Sequence, residues 1–154
     1  MVVLVVFFDW KGIVHHEFVP HGQMVNKQLY QEVLARLRGA VHRKRRELWE
    51  NQTWMLHHDS ALAHTSFFIC IYLPKHQTSF VPYPPYSPDL APADFFMFPK
   101  LKTTLKGCHF QTIEEIQESA IRELHAITES AFKEAFQQWK KCWEQCITSR
   151  GGLL

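Results

Sequence analysis

The feature that most constrains this chain is a change in the period of its apolar residues within the first fifty positions. Residues 2–8 (VVLVVFF) and 13–19 (IVHHEFV) are rich in β-branched and aromatic side chains, and the link Asp9-Trp10-Lys11-Gly12 supplies turn chemistry. Two such runs around a short Gly-containing link predict a β-hairpin. From Val25 to about Glu47 the period becomes helical: Val25, Leu29, Val33, Leu37 and Val41 recur, with Tyr30 and Leu34 alongside. That spacing predicts an amphipathic helix. TWMLHHD at 53–59 then reads as a short strand, 62–73 as a helix, and TSFVPY at 78–83 as a further extended piece. Strands alternating with helices after a hairpin predict an α/β fold, a mixed sheet with helices packed on it. The chain opens in mid-strand, as though its sheet had one more member.

The segment PPYSPDLAPAD, 84–94, carries four prolines in eleven residues. Proline lacks an amide donor and restricts the residue before it, so this is neither a central strand nor an ordinary helix but a rigid connection. Beyond it, Thr112 followed by Glu115 makes a capping box for a helix with Ile113, Ile116, Ile121 and Leu124 as its buried stripe. A last helix over about 129–147 buries Phe132, Phe136, Trp139, Trp143 and Ile147. No internal repeat and no interdomain linker is visible.

At 154 residues and 46% hydrophobic, the chain fits one globular domain. A formal charge of only +2 means that affinity for nucleic acid must come from local clustering, and the cluster is Arg43, Lys44, Arg45 and Arg46. Its bland role is a solvated helix end, where positive charge complements the dipole. The opening MVVLVVFF has no basic leader and is too short to span a bilayer, so it reads as a strand rather than a targeting or membrane segment. The four cysteines, Cys70, Cys108, Cys142 and Cys146, form no CxxC pair and read as reduced core thiols, not a zinc site.

The residues with chemistry to offer are Asp59, at the end of the predicted third strand, and Asp94, at the start of DFFMFPK. Strand ends and helix starts are where an α/β sheet exposes side chains to a shared crevice. Paired carboxylates are the hard-oxygen donors that Mg²⁺ or Mn²⁺ takes in two-metal phosphoryl transfer. From the residues alone, capping is the simpler reading: Asp59 precedes Ser60 and suits a helix N-cap, and Asp94 is equally placed as one. Strand alternation sends His57 and His58 to opposite faces, and His15 and His16 likewise. Asp89, between two prolines, reads as a side chain bonding to loop amides.

Three stretches carry a resemblance: HHDSALAHTS (57–66), PYPPYSPDLAPADFFMFPKLKTTLKG (82–107) and FFDWKGIVHHEFVPHGQMVN (7–26). Together they resemble the catalytic domain of the mariner transposases, of the Tc1/mariner superfamily, and the likeness covers nearly the whole chain. It implies an RNase H-like fold, as in retroviral integrases, carrying three metal-binding acids, with the second and third separated by 34 residues. Residues 60–93 are 34 in number, so Asp59 and Asp94 match those two acids. The resemblance further implies Mg²⁺ or Mn²⁺ as cofactor, and transposon-end and target DNA as partners, with no membrane and no small-molecule substrate. It admits a homodimer and implies a nuclear location. His58 and His64 become candidate DNA contacts, together with Arg43, Lys44, Arg45 and Arg46.

The departures matter too. The family's HxDNARPH reads HHDSALAH here, with Ser60 for Asn and Leu62-Ala63 for Arg-Pro. Asp9 aligns with the Asp of the family's DWKG turn, an Asx-turn side chain. The first catalytic Asp of the family lies on a strand before this hairpin, and its helix-turn-helix region lies further upstream. The expectation is therefore a partial catalytic domain over 1–154, lacking the first strand and inactive alone. The alternative is a domesticated, non-catalytic DNA-binding or dimerisation module, as in the fusion of a SET histone methyltransferase with a mariner transposase.

Overall fold

The computed structural model describes residues 3–20, 22–23, 26–52, 54–57, 79–81, 92–106 and 109–153. Two compact units divide the chain, one built from residues 3–7 and 14–85, the other from 8–13 and 86–154.

In the first unit, the predicted hairpin is present as strands β1 (Leu4–Asp9) and β2 (Gly12–Phe18), whose tip belongs to the second unit. At its base the Val19 N–H donates to the Val3 carbonyl at 2.9 Å. Helix α1 (Lys27–Lys44) starts because Asn26 sits in extended backbone and its Oδ1 accepts from the Leu29 N–H at 2.8 Å. The buried face is Tyr30, Val33, Leu34, Leu37, Ala40 and Val41. With the exception of Val33, these side chains join Val14 of β2 and Leu56 in one core cluster, with Phe7, Trp49 and Trp54 packed against it. Full burial of a side chain such as Leu34 contributes about 1.5–3 kcal/mol.

The expected helix through Glu47 instead breaks at Arg45, which takes φ −129° and ψ 58°. No apolar residue continues the stripe of Leu37 and Val41 at 44 or 45: Lys44 closes α1 exposed to solvent, and Arg45 leaves the helix. The Arg45 N–H still reaches the Val41 carbonyl at 2.8 Å, and the Trp49 N–H takes the Arg45 carbonyl at 3.0 Å to begin α2 (Arg46–Asn51). Trp49 then seats against the His42 ring at 5.1 Å and the Arg38 guanidinium at 5.3 Å.

Strand β3 (Met55–His57) pairs in parallel with β4 (Ser79–Val81), Leu56 opposite Phe80. Hairpin and parallel pair supply both strand senses of a mixed sheet, as two separate two-stranded ladders among the described residues. The helix expected over 62–73 and the proline connection from 84 to 91, with Asp89, lie outside the described residues.

In the second unit, the hairpin tip is set by Asp9, whose Oδ1 accepts from the Lys11 N–H at 2.9 Å and the Gly12 N–H at 3.1 Å. This is the Asx turn expected from DWKG. Gly12 stands at φ +133°, a conformation side-chain-bearing residues rarely take. Phe8 enters an aromatic cluster, its ring 5.8 Å from Phe132, 5.9 Å from Phe136 and 6.4 Å from Phe96. A π-helical turn, Ala93–Met97, leads into α3 (Phe98–Leu105), which packs against α4 (Ile113–Ala126).

The capping box on α4 is formed. Thr112 Oγ1 accepts from the Glu115 N–H at 3.2 Å, while the Glu115 carboxylate reaches one residue past the cap to the Gln111 N–H at 2.8 Å. Ala120 and Leu124 are the buried residues of this helix, and Ile113, Ile116 and Ile121 are half-buried. The last helix, α5 (Glu129–Leu153), runs further than the expected 147 and buries Phe132 fully, with Phe136 and Trp139 half-buried beside it. Cys142 on this helix is a free thiol. No helix among the described residues is long and apolar enough to cross a membrane.

Candidate active site

In the first unit, β3 delivers the chain to His57, with Leu56 anchoring the strand in the core. Asp59 follows two residues later, and it lies outside the described residues together with His58 and His64.

In the second unit, Asp94 is the second residue of the π turn. It is not the N-cap that residue chemistry alone allowed, because Pro92, two residues earlier, already has helical angles, φ −56° and ψ −29°. The sequence explains the widened turn. Pro99 has no N–H to give to the carbonyls of Phe95 or Asp94, so the helix entering α3 cannot close an ordinary α turn there. The Phe98 N–H reaches back five residues to Ala93 instead. Such single π turns recur at functional sites because they re-aim the side chains they carry. The signal was Pro99 itself, four residues after Phe95 in an otherwise helical segment.

The basic cluster is resolved in full. Arg43, Lys44 and Arg46 are exposed at the α1–α2 joint, and Arg45 is half-buried with its Nη1 on the Lys44 carbonyl at 3.2 Å. Sequence reasoning did not foresee the clasp of Trp49 by Arg38 and His42, which requires the helix break to form. Nor did it foresee the ion pair between Glu17 on β2 and Arg36 on α1. Among the described residues no group of three or more His, Cys, Asp or Glu converges as a metal site.

The family model for a transposase with a partial DDE domain matches residues 1–51. The Mariner Mos1 transposase of Drosophila mauritiana is 29% identical over 153 residues, covering 99% of this chain and 44% of that protein. The human histone-lysine N-methyltransferase SETMAR is 21% identical over 153 residues, covering 99% of this chain and 22% of that protein. The chain thus spans less than half the length of either relative. Among solved structures, the Mos1 transposase catalytic domain with Raltegravir and Mn superimposes with a TM-score of 0.89 at 28% identity, covering 96% of this chain and 74% of that one. The Mos1 paired end complex with Mn gives a TM-score of 0.87 at 28% identity, over 95% of this chain and 43% of that one. By sequence and by fold the chain is similar to the mariner Mos1 transposase, and its RNase H-like fold matches the catalytic domain of that protein.

Proposed function

We propose that the chain is part of a mariner-type transposase and contributes two carboxylates to that protein's metal-dependent phosphodiester chemistry on DNA: hydrolysis at transposon ends, then attack of the freed 3′-hydroxyl on target DNA. The observation that carries this reading is the 34-residue interval between Asp59 and Asp94, on a chain whose fold matches a catalytic domain solved with Mn and with Mg. Asp59 and Asp94 are the metal-binding carboxylates, a donor set of hard oxygens suited to Mg²⁺ or Mn²⁺. Bound divalent ions supply activation of the attacking oxygen and charge stabilisation on the leaving one. His58 and His64 contact DNA near these carboxylates. DNA is the partner, a second copy of the chain joins it as in a paired-end assembly, and the place of action is the nucleus.

The test separates metal binding from turnover. Mn²⁺ is titrated calorimetrically into the chain, Asp59→Ala and Asp94→Ala, and each protein is assayed for nicking of a duplex carrying mariner ends. Either substitution is expected to weaken Mn²⁺ binding at least about tenfold, the scale of losing one ligand-level interaction. Equal affinity in all three proteins removes the carboxylates from the site.

A second reading is a DNA-binding or dimerisation module without cleavage, as expected of a domesticated transposase. Leu62 and Ala63 favour it, because they follow Asp59 by three and four positions, where the family pattern has a phosphate-capable Arg and then Pro. Duplex binding with no metal-dependent nicking under any condition selects this reading.

A further inference from the structure

Resting on the DNA reading above, we infer that the α1–α2 joint is a duplex-DNA contact in its own right, a sequence-independent phosphate-binding ridge formed by Arg43, Lys44 and Arg46. From Val33 to Arg46 the chain has six Arg or Lys and no Asp or Glu, whereas its net charge is only +2. Charge is therefore concentrated on this one segment.

The structure sorts those six cations. Arg36 is committed to Glu17, Arg38 lies over Trp49, and Arg45 turns back onto the Lys44 carbonyl. Arg43 and Lys44 are exposed and make no ion pair among the described residues. Arg46 is 78% exposed, and its pair with Glu50 is a solvent-facing one at 3.4 Å that a phosphate would readily displace.

The backbone keeps these three side chains in water. Lys44 closes α1 exposed to solvent with Arg43 exposed beside it, and the turn at Arg45 opens α2 on Arg46, which is exposed as well. Gly39 contributes as well. It costs a helix interior about 1 kcal/mol relative to Ala, and it leaves room for the Arg43 guanidinium, whose Nη1 lies 3.3 Å from where a Cβ would stand. The joint is held in place because Trp49 packs on the core and is clasped by His42 and Arg38. An ordered ridge forfeits less side-chain freedom on binding than a loose basic tail does.

The chemistry selects phosphate. A guanidinium fork matches phosphate oxygens in a bidentate way, and a lysine adds a point charge. The ridge offers no Phe, Tyr, Trp or large aliphatic side chain between 42 and 46, which an interfacial lipid anchor or a protein hot spot requires. Arg43 and Lys44 end α1 and Arg46 opens the six-residue α2, so the three cations sit at a helix junction rather than along a single helix that could enter a major groove, and they meet backbone and not base edges.

The test is fluorescence anisotropy of the full chain on two duplexes of equal length and unrelated sequence, across about 50–200 mM salt. Arg43→Gln/Lys44→Gln is compared with Arg43→Lys/Lys44→Arg and the native chain, with thermal midpoints confirming that all three fold. Two lost phosphate contacts lower the log–log salt slope by about 1.8, so the affinity gap to the native chain narrows about twelvefold over that fourfold salt range, equally on both duplexes. The charge-conserving variant keeps the native slope. Native-like slope in the Gln variant overturns the ridge and leaves the DNA reading standing, whereas failure of the native chain to bind either duplex overturns both. A loss confined to one duplex makes the contact a base reader, and a loss seen on anionic phosphatidylserine vesicles but not on DNA makes it a lipid surface; either result overturns the inference.

Discussion

Glu17 on β2 takes the Arg36 guanidinium of α1 on both carboxylate oxygens, Oε2 from Nε at 2.8 Å and Oε1 from Nη2 at 2.6 Å. His15 Nε2 lies 2.6 Å from the same Oε2. One carboxylate thus fastens the hairpin to the first helix. Glu17→Gln keeps the shape and removes the charge that makes these bonds strong. Because the Glu17 side chain is 19% exposed and that of Arg36 is 48% exposed, water screens part of the gain, and the expected loss is about 1–2 kcal/mol. Urea denaturation at neutral pH checks it, and a midpoint unchanged in Glu17→Gln refutes it.

The same contact sets a pH dependence. The hydrogen bonds from Arg36 hold the Glu17 carboxyl below its ordinary value of 4.5, against the opposing effect of burial and with help from His15. The folded pKa lies below the unfolded one. The stabilisation is therefore complete above about pH 4.5 and is lost as pH falls through the folded value. Arg36 is shifted upward from its ordinary value, so its side of the pair is fully present throughout this acid window and contributes no slope there. Thermal midpoints of the native chain and Glu17→Gln should converge below about pH 4.5, and a gap that stays constant into acid rules this out.

Helix α4 depends on its cap. Thr112→Ala removes the acceptor for the Glu115 N–H and should cost about 1 kcal/mol. Glu115→Gln should cost less, since an amide oxygen still accepts from the Gln111 N–H. Far-ultraviolet circular dichroism during thermal melting orders the two, and a larger effect at Glu115 contradicts the assignment.

Gly12→Ala tests the hairpin tip through backbone strain alone. The added Cβ would meet Phe132 carbon atoms at 3.9 and 4.0 Å, ordinary contact distances, so space is not the obstacle. At φ +133° the strain is, and it should cost about 1–3 kcal/mol. Gly12→Asn should cost no more than Ala, because Asn tolerates positive φ better. Equal stability of Gly12→Ala and the native chain would place the tip in another conformation.

Local chemistry made much of this fold readable in advance. The Asx turn at Asp9 and the cap at Thr112 each join residues two to four apart, and the buried stripe of α1 follows from a period any helix imposes. What escaped depends on partners distant in sequence or on competition between levels. Glu17 and Arg36 are 19 positions apart, and nothing in either neighbourhood designates the other. The break at Arg45 escaped because what it brings together, Trp49 with His42 and Arg38, lies seven and eleven positions apart. For the site, the interval between Asp59 and Asp94 took its meaning from the family resemblance and not from the residues alone, and the turn that carries Asp94 was not foreseen, although its cause, Pro99, stood in the sequence.

That proline gives the last prediction. Pro99→Ala supplies an N–H four residues after Phe95, so the i−4 hydrogen bond missing from the native chain can form and the π turn over Ala93–Met97 can close as ordinary α-helix. Taking one residue's worth of register out of the turn rotates everything before it by about 100° relative to α3. Asp94 would swing with it, while the core residues Met97 and Leu101 keep the helix in place. If the π turn exists to aim Asp94 at a divalent ion, Pro99→Ala should weaken Mn²⁺ binding about as much as Asp94→Ala does, with helical content unchanged or slightly higher. Native Mn²⁺ affinity in a folded Pro99→Ala protein would mean that the turn is only a consequence of the proline and that the aim of Asp94 does not depend on it.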